Sequence, residues 1–571
     1  MISRQFRWVR RYFTFVAIGL AFAWSGLTIL ATRAVEARPG TIVLHIAHWQ
    51  LENGVREAFD ELSARYRQTH PNVLIVQDIV PSTVYPSWMS TNLIGGTAPD
   101  MMEIPKYKLP NDILVSYYNR YFISMSPYVN QVNPYNAGTE LEKVPLRQCY
   151  KDGMRNAYIK EMQQYMHIPL SMFAIRIFYN KNLYKKLTGN DEPPKNYREF
   201  LAACRKIAEQ TDERGQHYIP ICNSTDSLFA WEGMMFDPIT YGMLRKIDFN
   251  RDGLVTDDEM FAGFKRKLID FQSPPMKARY KIQREVNEYF SVGYTGLTRD
   301  DQVFQFAQQR GVFTSTGTWD VRTLIAQAEG KFDVAIMDFP LPGEDDPEYG
   351  KVVLGPKYEE VEAGFPIAVS RQSAHPEAAV DFLLFLAGQK QNEDLNKVMG
   401  WLPVTQGAKL DPLLEKSFSP HLEGVYTTLE IALGSETRNK YQQLYSLYQT
   451  NEISYENMVK TYEPFYLEKG LLDFKERDRE WRRGMQRNEQ ALAYMRVDAM
   501  TSAGPAAASK WIAYRNMTAT QQVLAEIEHR RKVDAIEFTP TAHNIGPYEY
   551  SPEVLAKIKS RLAGPEKASS R

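Results

Sequence analysis

Between Thr41 and Val76 the chain alternates one strand pattern, one helix pattern and a second strand pattern, and this order restricts the fold more than any other feature. The run Thr41-Ile-Val-Leu-His-Ile-Ala-His-Trp49 is rich in β-branched and apolar residues and predicts a strand. From Gly54 to Tyr66, the residues Val55, Ala58, Phe59, Leu62 and Tyr66 recur at helical spacing, and Pro71 ends that helix. Asn72-Val-Leu-Ile-Val76 is again an apolar strand. Strands without polar alternation are covered on both faces, so this is the unit of a parallel sheet with helices packed on it.

The pattern returns downstream. Ala174 to Tyr179 predicts a strand, Pro193-Pro194 a break, and Tyr197 to Glu209 a helix with Phe200, Leu201, Cys204 and Ile207 on one face. Gly311 to Ser315 and Phe332 to Met337 predict short strands, and His375 to Ala387 a helix. From about Gly470 the sequence becomes densely charged with helical character, and Ala503 to Ala508 is small and linker-like. At 571 residues with 44% hydrophobic content, there is enough apolar material for two large lobes plus extensions. Three cysteines, Cys149, Cys204 and Cys222, are too few for a disulfide scaffold. Cys204 and Cys222 either pair or stay separate buried thiols.

The amino terminus addresses the chain. Arg4, Arg7, Arg10 and Arg11 precede an uncharged apolar run from Tyr12 to Thr32, with no acid before Glu36. That is the charge order of an export signal, with the basic flank staying inside. As a helix the run would span about 30 Å, the thickness of a bilayer core, so residues 1–38 are read as a signal peptide or a retained membrane anchor. Val35-Glu36-Ala37 offers a small-residue cleavage site. The remainder is expected to be periplasmic or extracellular.

One local motif carries explicit metal chemistry. Asp248-Phe-Asn250-Arg-Asp252-Gly253-Leu254-Val255-Thr256-Asp257-Asp258-Glu259 fills every diagnostic position of an EF-hand loop. Asp248, Asn250 and Asp252 would supply side-chain oxygens at alternate positions, Leu254 its carbonyl, Thr256 a contact direct or through water, and Glu259 two oxygens, while Gly253 permits the turn. Val255 would pack inward. No second loop accompanies it, so one structural calcium ion is the expectation, with an acidic turn that binds nothing as the alternative.

From about Thr41 to Gly470 the order of motifs resembles the extracellular solute-binding proteins, family 1, that serve sugar-importing ABC transporters. The resemblance is carried by the Trp49 strand end, Gly95-Gly96-Thr97-Ala98-Pro99-Asp100, His167-Ile-Pro-Leu-Ser171 leading into Ile177-Phe-Tyr-Asn180-Lys181, and Pro193-Pro194-Lys195-Asn196-Tyr197. It continues in Gly317-Thr318-Trp319, Phe332-Asp333-Val334, Phe339-Pro340-Leu341-Pro342, Gly364-Phe365-Pro366-Ile367-Ala368 and Trp401-Leu402-Pro403-Val404.

The resemblance implies a two-lobe α/β fold of the periplasmic-binding-protein kind, with an interlobe cleft and a mainly helical C-terminal extension. It places lobe 1 at about 39–168 and 338–398 and lobe 2 at about 172–335 and 402–470, with the EF-hand insertion at 237–270. Residues 471–571 form the extension. The implied ligand is a carbohydrate, whose C–H faces stack on aromatic rings and whose hydroxyls need donors and acceptors. Position by position this puts Trp49, Gln50, Asn53 and Asp100 near the first lobe's mouth, Ser171 at the first crossing, and Trp231, Glu232, Trp319 and Asp320 in the second lobe. Trp401 is a further candidate. The implied partners are the permease subunits of an ABC importer, and the membrane if the N-terminal helix is uncleaved. After Asp100 the run Met101-Met102-Glu103-Ile104-Pro105 departs from the family pattern.

No HExxH, GxSxG, Walker loop, GxGxxG or CxxC motif is present, so no catalytic residue is assigned and binding rather than turnover is expected. A secreted glycoside hydrolase is the enzyme alternative, since paired carboxylates leave no short signature. A calcium-dependent interaction protein is the other. With 68 Lys+Arg against 69 Asp+Glu, and Arg477 to Arg487 interrupted by Asp478 and Glu480, no nucleic-acid partner is expected.

Overall fold

A computed structural model describes residues 40–519 except 107, 110, 160–161, 163, 250–254, 353–361, 411, 419–428 and 430, together with residue 556. The apolar run from Tyr12 to Thr32 lies outside the described residues. Among the described residues no helix is long and apolar enough to cross a membrane.

In chain order the principal strands are β1 (Ile42–His48), β2 (Val73–Ile79), β3 (Met101–Glu103), β4 (Ile168–Phe173), β5 (Ile175–Asn180), β6 (Ile219–Cys222), β7 (Gly311–Gly317), β8 (Val334–Met337) and β9 (Glu362–Val369). The chain divides into two compact units: Met1–Met172 with Glu362–Asp411, and Phe173–Val361 with Pro412–Arg571.

The sheet of the first unit has the order β2-β1-β3-β9-β4. β1 runs parallel to both β2 and β3, as the opening pattern predicts, and β9 enters antiparallel to β3. The helix Val55–Thr69 buries Val55, Ala58, Phe59, Leu62 and Tyr66 and starts after Gly54, whose φ of 93° suits a residue without Cβ. A fully buried side chain such as Phe59 contributes roughly 1.5–3 kcal/mol. Behind the strands Tyr85, Met89, Leu93, Met102, Leu114, Tyr118, Phe122 and Ala368 form a continuous core.

In the second unit the sheet order is β8-β5-β7-β6, with β6 and β7 parallel and β5 antiparallel to β7. Asn180 caps the helix Lys181–Thr188 through Leu183 N, and Asn196 caps Tyr197–Ala208 through Glu199 N. The helical face foreseen there, Phe200, Cys204 and Ile207, packs with Ile177, Ile221, Trp231 and Phe313. A second core in this unit joins Tyr241, Leu244, Met260, Phe261, Phe264 and Phe271 to Leu444, Tyr448, Tyr462 and Tyr466.

Four details differ from the sequence reading. Residues 338–352 belong with the second unit, because Phe339 meets Trp231 edge-on at 5.1 Å and Tyr349 donates to Glu285 at 2.9 Å. Residues 402–410 belong with the first, since Met172 N donates to Leu402 O at 2.7 Å and Lys151 N to Val404 O at 2.9 Å. Gly470 is no boundary: it lies inside one helix, Tyr455–Thr501, where the missing Cβ admits the Phe261 ring. The linker at 503–508 shrinks to a break at 502–504, because Pro505 opens a new helix, Pro505–Ala519. Cys149, Cys204 and Cys222 are all free and buried.

Candidate functional site

At the carboxyl end of β1 the chain turns through Trp49 and Gln50, and both are fixed by a residue from the neighbouring strand end. Glu103, the last residue of β3, is fully buried. Its Oε2 accepts Trp49 N–H at 3.2 Å and its Oε1 accepts from Gln50 Nε2. Burial pushes the Glu103 carboxyl well above the ordinary carboxylate range, with the Gln50 and Trp49 donors opposing the shift. Trp49 is half-buried, edge-on to Tyr85 at 4.9 Å, with the Lys108 ammonium 5.9 Å from a ring centroid. Asn53 is exposed on the following turn.

The other candidates of the first unit are engaged within it. Asp100 accepts His45 N–H at 2.8 Å and the Ser373 hydroxyl at 2.5 Å, which ties β1 to the turn after β9. Ser171 is fully buried and donates to Asn396 Oδ1 at 2.7 Å. Trp401 is 1% exposed and meets Phe365 edge-on at 5.6 Å.

In the second unit Trp319 follows β7 and remains half-buried. Its ring lies against Gly317, where a Cβ would come within 2.2 Å of it, and meets Phe173 edge-on at 5.3 Å. The glycine is required by that contact. Asp320 is buried, accepting from Arg299 Nε at 3.1 Å and from Thr316 Oγ1 at 2.5 Å, so its charge is answered within the unit. Trp231 is fully buried among Phe200, Phe290 and Phe339. Glu232 opens a five-residue π-turn, Glu232–Phe236, and accepts the Tyr445 hydroxyl at 2.6 Å. Burial raises its carboxyl, against the pull of Arg279.

The ten candidates therefore sort by environment. Trp49 and Asn53 in one unit and Trp319 in the other offer surface beside strand ends, whereas Gln50, Asp100, Ser171, Trp231, Glu232, Trp401 and Asp320 are packed or paired. Glu103, Tyr85 and Phe173 went unassigned from sequence. For Glu103 a signal existed, namely a lone acid between apolar residues in a buried strand.

Of the predicted calcium ligands, Asn250, Asp252 and Leu254 lie outside the described residues; Asp248, Thr256 and Glu259 are described. Thr256 caps the helix Asp257–Lys265 in a capping box with Glu259. Glu259 is fully buried, its Oε1 accepting Phe249 N–H at 3.0 Å and its Oε2 accepting Thr256 N–H at 3.0 Å. Its carboxylate is thus turned back onto the loop's two ends. Val255 is buried, and the Ile247 side chain comes so near Gly263 that a Cβ there would meet it at 2.7 Å. Among the described residues no group of three or more His, Cys, Asp or Glu side chains is arranged to hold a metal ion.

The family described as bacterial extracellular solute-binding protein matches residues 50–393. An uncharacterized ABC transporter extracellular-binding protein of Pyrococcus horikoshii is 21% identical over 408 residues, covering 69% of this chain and 79% of its own. Among solved structures, one from work on xylan utilization by Caldanaerobius polysaccharolyticus is 17% identical with a TM-score of 0.52, covering 74% of this chain and 99% of that one. The bacterial solute receptor AcbH, described as having an exclusive preference for β-D-galactopyranose, is 13% identical with a TM-score of 0.51, covering 76% and 100%. At these identities the structural likeness speaks for the fold.

Proposed function

The chain belongs to the bacterial extracellular solute-binding protein family, and from that membership we propose that it captures a carbohydrate outside the cytoplasm and delivers it to the permease subunits of an ABC importer. The observation that carries the sugar reading is Trp319, held half-exposed on Gly317 beside Phe173 at the end of a sheet strand. An indole fixed in that way presents an apolar face to a pyranose ring without further ordering cost. Trp49, ordered by Glu103 and Tyr85, is the corresponding surface in the first unit.

The role is binding rather than bond breaking. It is exercised on the periplasmic or extracellular side, with residues 12–32 as signal or anchor. The names of the relatives support this reading: the Pyrococcus protein is an ABC transporter extracellular-binding protein, and AcbH prefers a galactopyranose. Calcium is the proposed structural ion of the loop 248–259. Glu259 supports it, since its carboxylate is already aimed at that loop.

Thermal unfolding of the full chain across mono- and oligosaccharides, with product analysis afterwards, tests the proposal. A ligand at about a hundred times its dissociation constant adds roughly 2.7 kcal/mol. A shift with intact sugar is the expected result. Sugar breakdown, or no shift with any sugar, overturns it.

A further inference from the structure

The helix Tyr455–Thr501 outruns the core in which it starts. Phe474 is its last residue in that core, and the helix continues for about 27 residues more, roughly 40 Å. The helix Pro505–Ala519 then folds back on it, held by Lys510, which donates to Asp498 at 2.8 Å and to Ser502 Oγ at 2.9 Å. Tyr494, Val497 and Met500 recur at every third position and so share one side of the long helix, where each is more than half exposed. Leu492 and Ala499, on the opposite side, are buried.

Charge accompanies the exposed side. Arg483 lies three turns before Tyr494 on the same line, Arg496 flanks Met500, and both are exposed. Residues 481–519 contain six basic residues against the two acids Glu489 and Asp498, an excess of four in a chain whose net charge is −1. Lys510 already answers Asp498. Exposed apolar and aromatic side chains on one side of a helix, bordered by arginines, form a surface suited to the headgroup layer of a bilayer. A second copy of the chain would set two positive excesses against each other, whereas anionic headgroups attract one. The charge therefore decides between these two occupants.

We propose that the hairpin 481–519 rests on an anionic phospholipid surface, with Tyr494, Val497 and Met500 entering the headgroup layer and Arg483 and Arg496 meeting lipid phosphates. The inference uses the placement outside the cytoplasm proposed above and is independent of the carbohydrate reading. It gives the C-terminal extension a role of its own, holding the second unit at the membrane in which an importer sits.

An environment-sensitive nitrobenzoxadiazole label at V497C in the full chain tests this, because Cys149, Cys204 and Cys222 are buried and leave the new thiol as the accessible one. I325C, at another exposed apolar position of the same unit, carries the control label. The labelled chains are mixed with vesicles of phosphatidylcholine alone or with phosphatidylglycerol at about three to one. The expected result is a blue shift of about 10 nm or more at position 497, with phosphatidylglycerol only, that is lost in about 0.5 M NaCl. In the R483Q/R496Q background the shift should fall by about half or more. The control label reports whether residues 12–32 merely carry the whole chain to the vesicle, since that would leave the two positions alike. No shift at 497, an equal shift at 325, an equal shift on phosphatidylcholine alone, or a shift without vesicles that grows with protein concentration overturns the proposal, the last in favour of a second copy. Sugar affinity should be the same in R483Q/R496Q as in wild type, so failure of the carbohydrate reading and failure of this one are read separately.

Discussion

Arg477, on the long helix Tyr455–Thr501, donates to Asp257 at 2.7 Å across the first turn of the helix that closes the acidic loop, and to Asp258 at 3.2 Å. Two acids at a helix N-terminus favour the helix dipole but repel each other, and the guanidinium answers both. The same helix presents Tyr466 edge-on to Phe261 at 5.4 Å and to Phe264 at 5.7 Å. The charged C-terminal segment therefore starts as part of the second unit's core. R477M is expected to cost about 0.5–1 kcal/mol, the modest value of a partly exposed pair, measured by urea denaturation. Hydrogen exchange should rise across 257–265; unchanged exchange there would show that the aromatic contacts alone hold the helix.

Gly317 carries the second prediction. A methyl group there would come within 2.2 Å of the Trp319 ring, so G317A must displace the indole. Overpacking of this kind costs roughly 1–3 kcal/mol. Sugar affinity should fall about as far as in W319A, with the two substitutions far from additive when combined. Calorimetry on the single and double variants decides this, and simple additivity would separate Gly317 from the ring's position.

Much of this architecture was legible because buried parallel strands carry a dense local signal. β1, its covering helix and β2 follow directly from uninterrupted β-branched runs and helical spacing. β9 was missed, since Glu362–Val369 makes sense only through its antiparallel pairing with β3, a contact more than 250 positions away in sequence. At the candidate site, residue type could not separate Trp319, left half-exposed, from Trp231, enclosed by three phenylalanines. Nothing local to Trp231 encodes that enclosure. Gly470 misled for a related reason: a glycine kept for close approach of Phe261 reads in sequence like one kept for a break.

The calcium proposal predicts a saturable response. With an extracellular-type affinity of about 0.1–1 mM, calcium at roughly ten times the dissociation constant should stabilise the protein by about 1.4 kcal/mol. E259Q keeps one acceptor oxygen for Phe249 N–H or Thr256 N–H but loses the two-oxygen grip, so its melting temperature should no longer respond. Magnesium, which resists giving up its water shell, should substitute poorly in the wild type. A calcium response retained in E259Q would remove this loop as its source.

Glu103 gives a pH dependence of fixed sign. Its carboxyl is raised above the ordinary range by burial, so between the unfolded-state value of about 4.3 and the higher folded value the native protein holds a proton that the unfolded chain releases. The contribution is therefore fully present below about pH 4.3 and is lost as pH rises toward the folded value. E103Q, neutral at every pH and still offering an oxygen to Trp49 N–H, should flatten this decline. Relative to wild type it should gain stability between pH 5 and pH 8, where E103A, which leaves Trp49 N–H and the Gln50 amide without their acceptor, should be less stable throughout. Denaturation of the three proteins at about pH 5 and pH 8 measures it. Parallel pH profiles for wild type and E103Q would mean that Glu103 titrates as an ordinary carboxylate despite its burial.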